Sequence, residues 1–100
     1  MMMTPDDVLI QRIAARDRAA FAVLYQRHAG RLFGLMVKIL GPGAEAEDAF
    51  QELFLQVWKQ ASNYEAERSS GASWLTLLAR SRAIDLLRRR AKRPALQEFA

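Results

Sequence analysis

The chain has 100 residues, 51 % of them apolar and 26 % charged, with fifteen Lys and Arg against eleven Asp and Glu for a net charge of +4. That is one domain with one small core, and the balance excludes an intrinsically disordered chain. There are no cysteines and one histidine, so a disulfide scaffold and a thiolate metal site are excluded, the histidine cannot build a zinc site alone, and a cytoplasmic protein is expected.

Valine, isoleucine and threonine together supply ten residues, and no stretch alternates apolar with polar. Leucine and alanine dominate, which predicts an all-α fold: a compact bundle of about four helices. No apolar run approaches the roughly 20 residues of a membrane span. The N-terminus lacks the basic and then apolar order of a signal peptide.

Thr4, Pro5, Asp6 and Asp7 read as a helix start, with threonine as cap, proline at the first helical position and acids at the positive end of the dipole. The first helix is predicted over 5–15, with Leu9 and Ile13 on one face, and as the least stable element. Asp17 is expected to cap a second helix over 18–40. Its apolar stripe is Phe21, Tyr25, His28, Leu32, Leu35, Met36 and Ile39, with Arg27, Arg31 and Lys38 on the opposite side. Gly30 and Gly34 are either tolerated or mark a close approach by another backbone. His28 lies on the core stripe and reads as a satisfied, partly buried histidine.

Gly41, Pro42 and Gly43 break the chain before a third helix predicted over 44–61. Its core stripe is Phe50, Leu53, Phe54, Val57, Trp58 and Ala61. The other face carries Asp48, Gln51, Glu52, Leu55 and Lys59. Leu55, framed by polar groups, is either an isolated surface leucine or the hot spot of a helix-docking face. Residues 62–73 read as a polar loop. It is an ordinary connection or a base-reading segment, since Asn63, Tyr64, Arg68, Ser69 and Ser70 include types that stack on bases or hydrogen-bond their edges.

Ser70 or Ser73 is expected to cap a fourth helix over 71–92. Trp74, Leu75, Leu78, Ala79 and Leu86 form one apolar side and Leu77, Ile84 and Leu87 another, a surface wide enough for two neighbours. Arg80, Arg88 and Ser81 run between them, and Asp85 is placed to pair with Arg82 or Arg88. Residues 74–93 hold seven cations (Arg80, Arg82, Arg88, Arg89, Arg90, Lys92, Arg93) against one carboxylate, a net of +6. A helix C-terminus favours some of these charges. The remainder is the footprint of a polyanion binder. Residues 94–100 read as the start of a linker or a tail.

No nucleophile–base pair surrounds the single histidine, and no Walker-type phosphate loop is present, so no enzyme, cofactor or metal is expected. Two classes remain: a nucleic-acid-binding domain that docks on a larger machine, and a basic protein-interaction or membrane-surface module. The apolar residues of the fourth helix are committed to a core, which favours nucleic acid.

Ala46-Glu47-Asp48, Gln51-Glu52, Phe54, Trp58, Trp74-Leu75, Ala79-Arg80 and Ile84-Asp85 follow in the order found in region 2 of bacterial sigma factors of the sigma-70 family. Upstream, Asp17, Ala20-Phe21, Leu24-Tyr25 and His28 also fit. Over roughly residues 6–93 the chain resembles the extracytoplasmic-function (ECF) group of that family. The resemblance implies that Asp48, Gln51, Glu52, Leu55 and Lys59 dock on the clamp helices of the RNA polymerase beta-prime subunit. It implies that Asn63, Tyr64, Arg68, Ser69 and Ser70 line a pocket for an extruded base of the non-template strand of the promoter −10 element. Trp74, Arg80, Arg82, Arg88 and Arg89 would contact that strand or support strand separation.

The group is typically restrained by anti-sigma factors, so such a partner is implied as well. Two departures bear on melting and base contact. Trp74-Leu75 stands where housekeeping relatives carry paired aromatics, and Ser81 where the family often has asparagine. The family's helix-turn-helix for the −35 element, region 4, has no counterpart in these residues, so a single domain of a larger protein is expected.

Overall fold

The computed structural model describes residues 3–92. Four helices follow in order: α1 (Asp6–Ala14), α2 (Arg18–Leu40), α3 (Ala44–Gln60) and α4 (Gly71–Ala91), with a single 3-10 turn, Ala61–Asn63, at the end of α3. The all-α bundle is as expected. Arg93 and the 94–100 segment lie outside the described residues.

Helix α2 is the axis of the bundle. Its buried residues Ala20, Leu24, His28, Leu32, Met36 and Leu40 repeat every four positions. The centre of this face is shifted by one residue from the predicted stripe, and Tyr25 is 40 % exposed. The shift arises because α2 is packed on three sides, by α1, α3 and α4. Phe21 and Tyr25 lie along the seam with α3, where Phe21 meets Phe54 and Trp58 edge-on at 6.0 and 5.5 Å, and Tyr25 meets Phe54 at 4.8 Å. Each such pair adds about 0.5–1.5 kcal/mol beyond its buried area.

Helix α4 packs through small residues. Gly71, Leu75, Ala79 and Ala83 form its buried line, again four apart. The second apolar side expected there does not join the core: Leu77 is 64 % exposed and Leu87 also faces solvent. The small buried line brings α4 close to its neighbours without needing the outer leucines.

Gly71 marks the tightest approach. A Cβ there would lie 2.7 Å from Asp6 Cβ and 3.2 Å from the Asp6 carbonyl carbon, so only glycine lets α1 cross the start of α4. Gly30 and Gly34 face open space and are simply tolerated.

Asp17 caps α2 as expected, its Oδ1 accepting from the Ala20 N–H at 3.1 Å. Thr4 does not cap α1. Pro5 occupies the cap position without a side-chain bond, and the Thr4 carbonyl accepts from Arg27 at 2.7 Å. Arg27 and Arg31 are therefore not idle on an outer face. Arg27 also donates to Asp6 Oδ1 at 2.8 Å, while Arg31 donates to His28 Nδ1 and to Thr76 Oγ1. With Arg31 donating to Nδ1, His28 Nε2 carries the proton and donates to Asp6 Oδ2 at 2.9 Å. Burial alone would raise the Asp6 carboxyl, but the hydrogen bonds from Arg27 and His28, with the charge of Arg27, hold it below its usual value. With Leu9, Ile10 and Ile13 buried beneath it, the short α1 is anchored by both polar and apolar contacts.

Candidate nucleic-acid and protein interfaces

The outer face of α3 follows from its period. Asp48, Gln51, Glu52, Leu55 and Lys59 are all exposed, on the face opposite Leu53 and Val57. Leu55 is 58 % exposed. Glu52, Leu55 and Lys59 line a shallow depression of about 200 Å³ with Gln56, Gln60 and Arg82. A second depression on the other flank of Leu55 is lined by Arg18, Phe21, Phe54 and Trp58. Leu55 thus stands as a ridge between a polar and an aromatic hollow. Sequence reading did not foresee the aromatic one, because it depends on Arg18 and Phe21 of α2.

The connection before α4 is shorter than the predicted loop. Asn63 closes the 3-10 turn, residues 64–70 form the connection, and residues 71–73 are already the first turn of α4. Ser70 is the cap, its Oγ accepting from the Ser73 N–H at 3.1 Å. Tyr64 pins the connection: its hydroxyl donates to the Ser69 carbonyl at 2.8 Å, and its ring lies 5.3 Å from that of Trp74. Burial, reinforced by the negative charges of Asp7, Asp6 and Glu67, pushes the Tyr64 phenol above its usual value. It therefore remains a neutral donor.

Beside Tyr64 opens a depression of about 310 Å³, lined by Asp6, Asp7, Tyr64, Ala66, Ser70, Gly71 and Ala72. Of the five residues expected to line a base pocket, Tyr64 and Ser70 are brought together there. Asn63 is exposed on the turn. Arg68 points outward, paired with Glu65 at 3.0 Å, and Ser69 contributes the carbonyl that orients Tyr64. Asp7 and the α4 start were missed because no local pattern reveals that α1 packs over this corner. Asp6 is occupied by Arg27 and His28, which leaves Asp7 as the available carboxylate. The hollow offers an aromatic wall and an acceptor, suited to a planar ring that presents amino donors.

The cationic end of α4 separates into engaged and available charges. Arg82 donates to Glu52 Oε2 at 3.2 Å and to Gln56 Oε1 at 2.9 Å, tying α4 to α3. Arg90 holds Glu45 and the Leu40 carbonyl. Asp85 pairs with Arg89 at 2.9 Å, one turn on, rather than with Arg82 or Arg88. Arg82 is already taken by α3, and the i to i+4 step suits a carboxylate followed by a cation. Among the described residues no ion pair includes Arg80 or Arg88, both exposed. The described residues hold no cluster of three or more metal-ligating side chains, and none of their helices is long and apolar enough to cross a membrane.

The described residues thus form a four-helix domain with a leucine-crested face on α3 and an aromatic-walled hollow at the start of α4. The sigma-70 region 2 family model matches residues 24–93, and the chain belongs to that family. Over 82 residues it is 37 % identical to the ECF RNA polymerase sigma factor SigK of Mycobacterium tuberculosis (strain ATCC 25618 / H37Rv), covering 82 % of this chain and 44 % of that protein. It is 39 % identical over 82 residues to SigK of Mycobacterium sp. (strain KMS), covering 82 % and 42 %. The chain therefore spans less than half the length of these relatives. Its fold matches that of an engineered region 2 of sigmaE, solved by NMR in complex with GTAAAA, with a TM-score of 0.78 at 23 % identity over 93 % of this chain and 97 % of that one.

Proposed function

We propose that this domain serves a bacterial sigma factor in transcription initiation, docking on core RNA polymerase and holding an unstacked base of the promoter −10 element. The observation that carries the reading is the corner at the start of α4. There the Tyr64 and Trp74 rings, the hollow under α1 and the free guanidinium of Arg80 lie within one turn or two of each other. Extruding a base costs a few kcal/mol, and stacking on an aromatic wall offsets it by about 1–3 kcal/mol per base. Asp7, Tyr64 and Ser70 would hold the base, Trp74 would back the Tyr64 wall, and Arg80 and Arg88 would hold phosphates. Asn63 and Arg68 would meet the strand outside the hollow. Arg82 and Arg89 would support the surface by bracing α4 rather than by gripping the strand.

The partner at α3 is the clamp-helix coiled coil of the beta-prime subunit. Leu55 is the apolar anchor, flanked by Glu52 and Lys59, with Gln51 and Asp48 one and two turns earlier. An anti-sigma factor would compete for these faces, and the protein would act in the cytoplasm. The test is direct. The chain should bind a peptide of the clamp helices, and in a separate titration a −10 non-template oligonucleotide better than its scrambled counterpart. Equal binding of the scrambled strand would leave only the nonspecific electrostatic term, and no binding to the clamp helices would remove the docking half.

A further inference from the structure

His28 takes no part in that reading. Among the described residues it is the one polar or charged residue that is buried. It also connects to both sides of the hollow beside Tyr64. On one side Nε2 donates to Asp6 Oδ2 at 2.9 Å, and Asp6 lines the hollow from α1. On the other side Nδ1 accepts from the Arg31 guanidinium at 3.1 Å, and the same guanidinium donates to Thr76 Oγ1 at 2.7 Å. The Thr76 hydroxyl donates to the Ala72 carbonyl at 2.9 Å, and Ala72 lines the hollow from α4. One imidazole thus stands between the two walls, with one ring nitrogen serving each.

The two arms respond oppositely to a proton. A neutral imidazole has one acceptor nitrogen, which here receives Arg31, whereas an imidazolium has two donors and no acceptor. Protonation at Nδ1 therefore sets donor against donor and cation against cation on the Arg31 side. On the Asp6 side it strengthens the bond, because both partners are then ionised. Arg31 is exposed and can turn to water. Its two bonds leave one rigid, planar guanidinium, so withdrawal from Nδ1 also takes it from Thr76.

Few charges surround the ring. Asp6 from α1 and Arg31 from α2 touch it, and Arg27 faces it across Asp6, to which it donates at 2.8 Å. Asp7 and Tyr64 lie beyond Asp6 along the hollow. From α4 the group presented is the neutral Thr76 hydroxyl, and the α3 acids that form ion pairs, Glu45 and Glu52, pair with α4 instead. Burial raises the Asp6 carboxyl, but the hydrogen bonds from Arg27 and His28 outweigh it, so Asp6 stays ionised where histidines titrate.

We infer that His28 is a proton-operated latch on this hollow: neutral, it joins the α1 and α4 walls, and protonated, it keeps α1 and releases Arg31 from α4. Its effect on binding rests on the single-strand reading above, and two measurements separate the failures of the two. The first is nuclear magnetic resonance of the chain from about pH 8 to about pH 5, the range in which histidine changes charge. His28 is the only histidine, so its ring signals are unambiguous. Nδ1 should gain a proton, and the Thr76 methyl should shift with the same midpoint. A Thr76 methyl indifferent to the His28 titration, or a ring neutral throughout, overturns the latch.

The second measurement is affinity for the −10 non-template oligonucleotide, which should fall roughly three- to tenfold over the same acidification. Thr76→Val deletes the acceptor of the Arg31 bridge. It should bind at the upper pH as weakly as the wild type does at the lower, with no further pH dependence. His28→Gln, which cannot take up a proton, should also bind independently of pH. A wild-type affinity that is flat or rises on acidification overturns the latch, as does a pH dependence that persists in either variant. Failure to bind the strand at any pH overturns the single-strand reading, and the Thr76 methyl then decides the latch by itself.

Discussion

The outer face of α3 and the corner beside Tyr64 differ in how many parts of the chain they require. Asp48, Gln51, Glu52, Leu55 and Lys59 belong to one helix, and their exposure follows from the burial of Leu53 and Val57 on its other side. The corner needs α1, the 64–70 connection and α4 at once, held by Gly71 against Asp6 and by Tyr64 against Ser69 and Trp74. The exposure of the five α3 side chains follows from α3 alone, while the hollows flanking Leu55 also draw on α2 and α4. The corner is lost whenever α1 moves. The same bundle thus carries one surface set mainly by a single helix and one that is conditional on tertiary packing.

Mutations can separate the two. The largest effect is expected at Leu55. Leu55→Asp should cost about 2 kcal/mol or more in binding to the clamp helices, as for a truncated hot spot, with no change in helical circular dichroism or in oligonucleotide binding. Unchanged clamp-helix affinity would remove Leu55 from the interface.

Gly71→Ala should cost about 1–3 kcal/mol of stability through overpacking against Asp6 and Ile10, read as a shift of the urea midpoint. It should weaken oligonucleotide binding while sparing the α3 face.

Asp6→Asn should cost about 1–3 kcal/mol, since Arg27 and His28 lose a charged partner. The carboxyl is held below its usual value, so its contribution is complete above the unfolded pKa of about 3.9 and is lost as pH falls through the lower folded value. In urea titrations across pH, the wild-type advantage over Asp6→Asn should therefore shrink below about pH 4.

The smallest effect is Tyr64→Phe, which keeps the ring against Trp74 and deletes the bond to the Ser69 carbonyl, at about 0.5–1.5 kcal/mol. Nuclear magnetic resonance of residues 64–70 would show whether the connection loosens.

What the sequence made legible follows the same division. Helices α2, α3 and α4 are visible in their three- and four-residue periods, and the α3 face comes with them. The Asp17 cap and the break at Gly41 and Gly43, both at positive φ, are local signals as well. The corner was only half legible. Tyr64 and Ser70 stand out by residue type, but Asp7 reads as an ordinary helix-start acid until α1 is seen to cross α4. Gly71 reads as a loop glycine until its missing Cβ is seen to admit Asp6. Gly30 and Gly34 drew attention by spacing and face nothing. The cationic run misled by count: Arg82, Arg89 and Arg90 look equivalent to Arg88 in sequence, and only the positions of Glu52, Asp85 and Glu45 distinguish them.

That sorting of arginines sets the ionic-strength dependence of binding. Each phosphate neutralised on a single strand contributes about −0.7 to the slope of log K against log salt concentration. If Arg80 and Arg88 supply the phosphate contacts, the slope is about −1.4, whereas all seven cations of residues 74–93 would give about −5. A chain with a sequence pI near 10.1 would then hold its strand with a salt response closer to that of a neutral protein, and most of what binding remains at high salt would reside in stacking and hydrogen bonds.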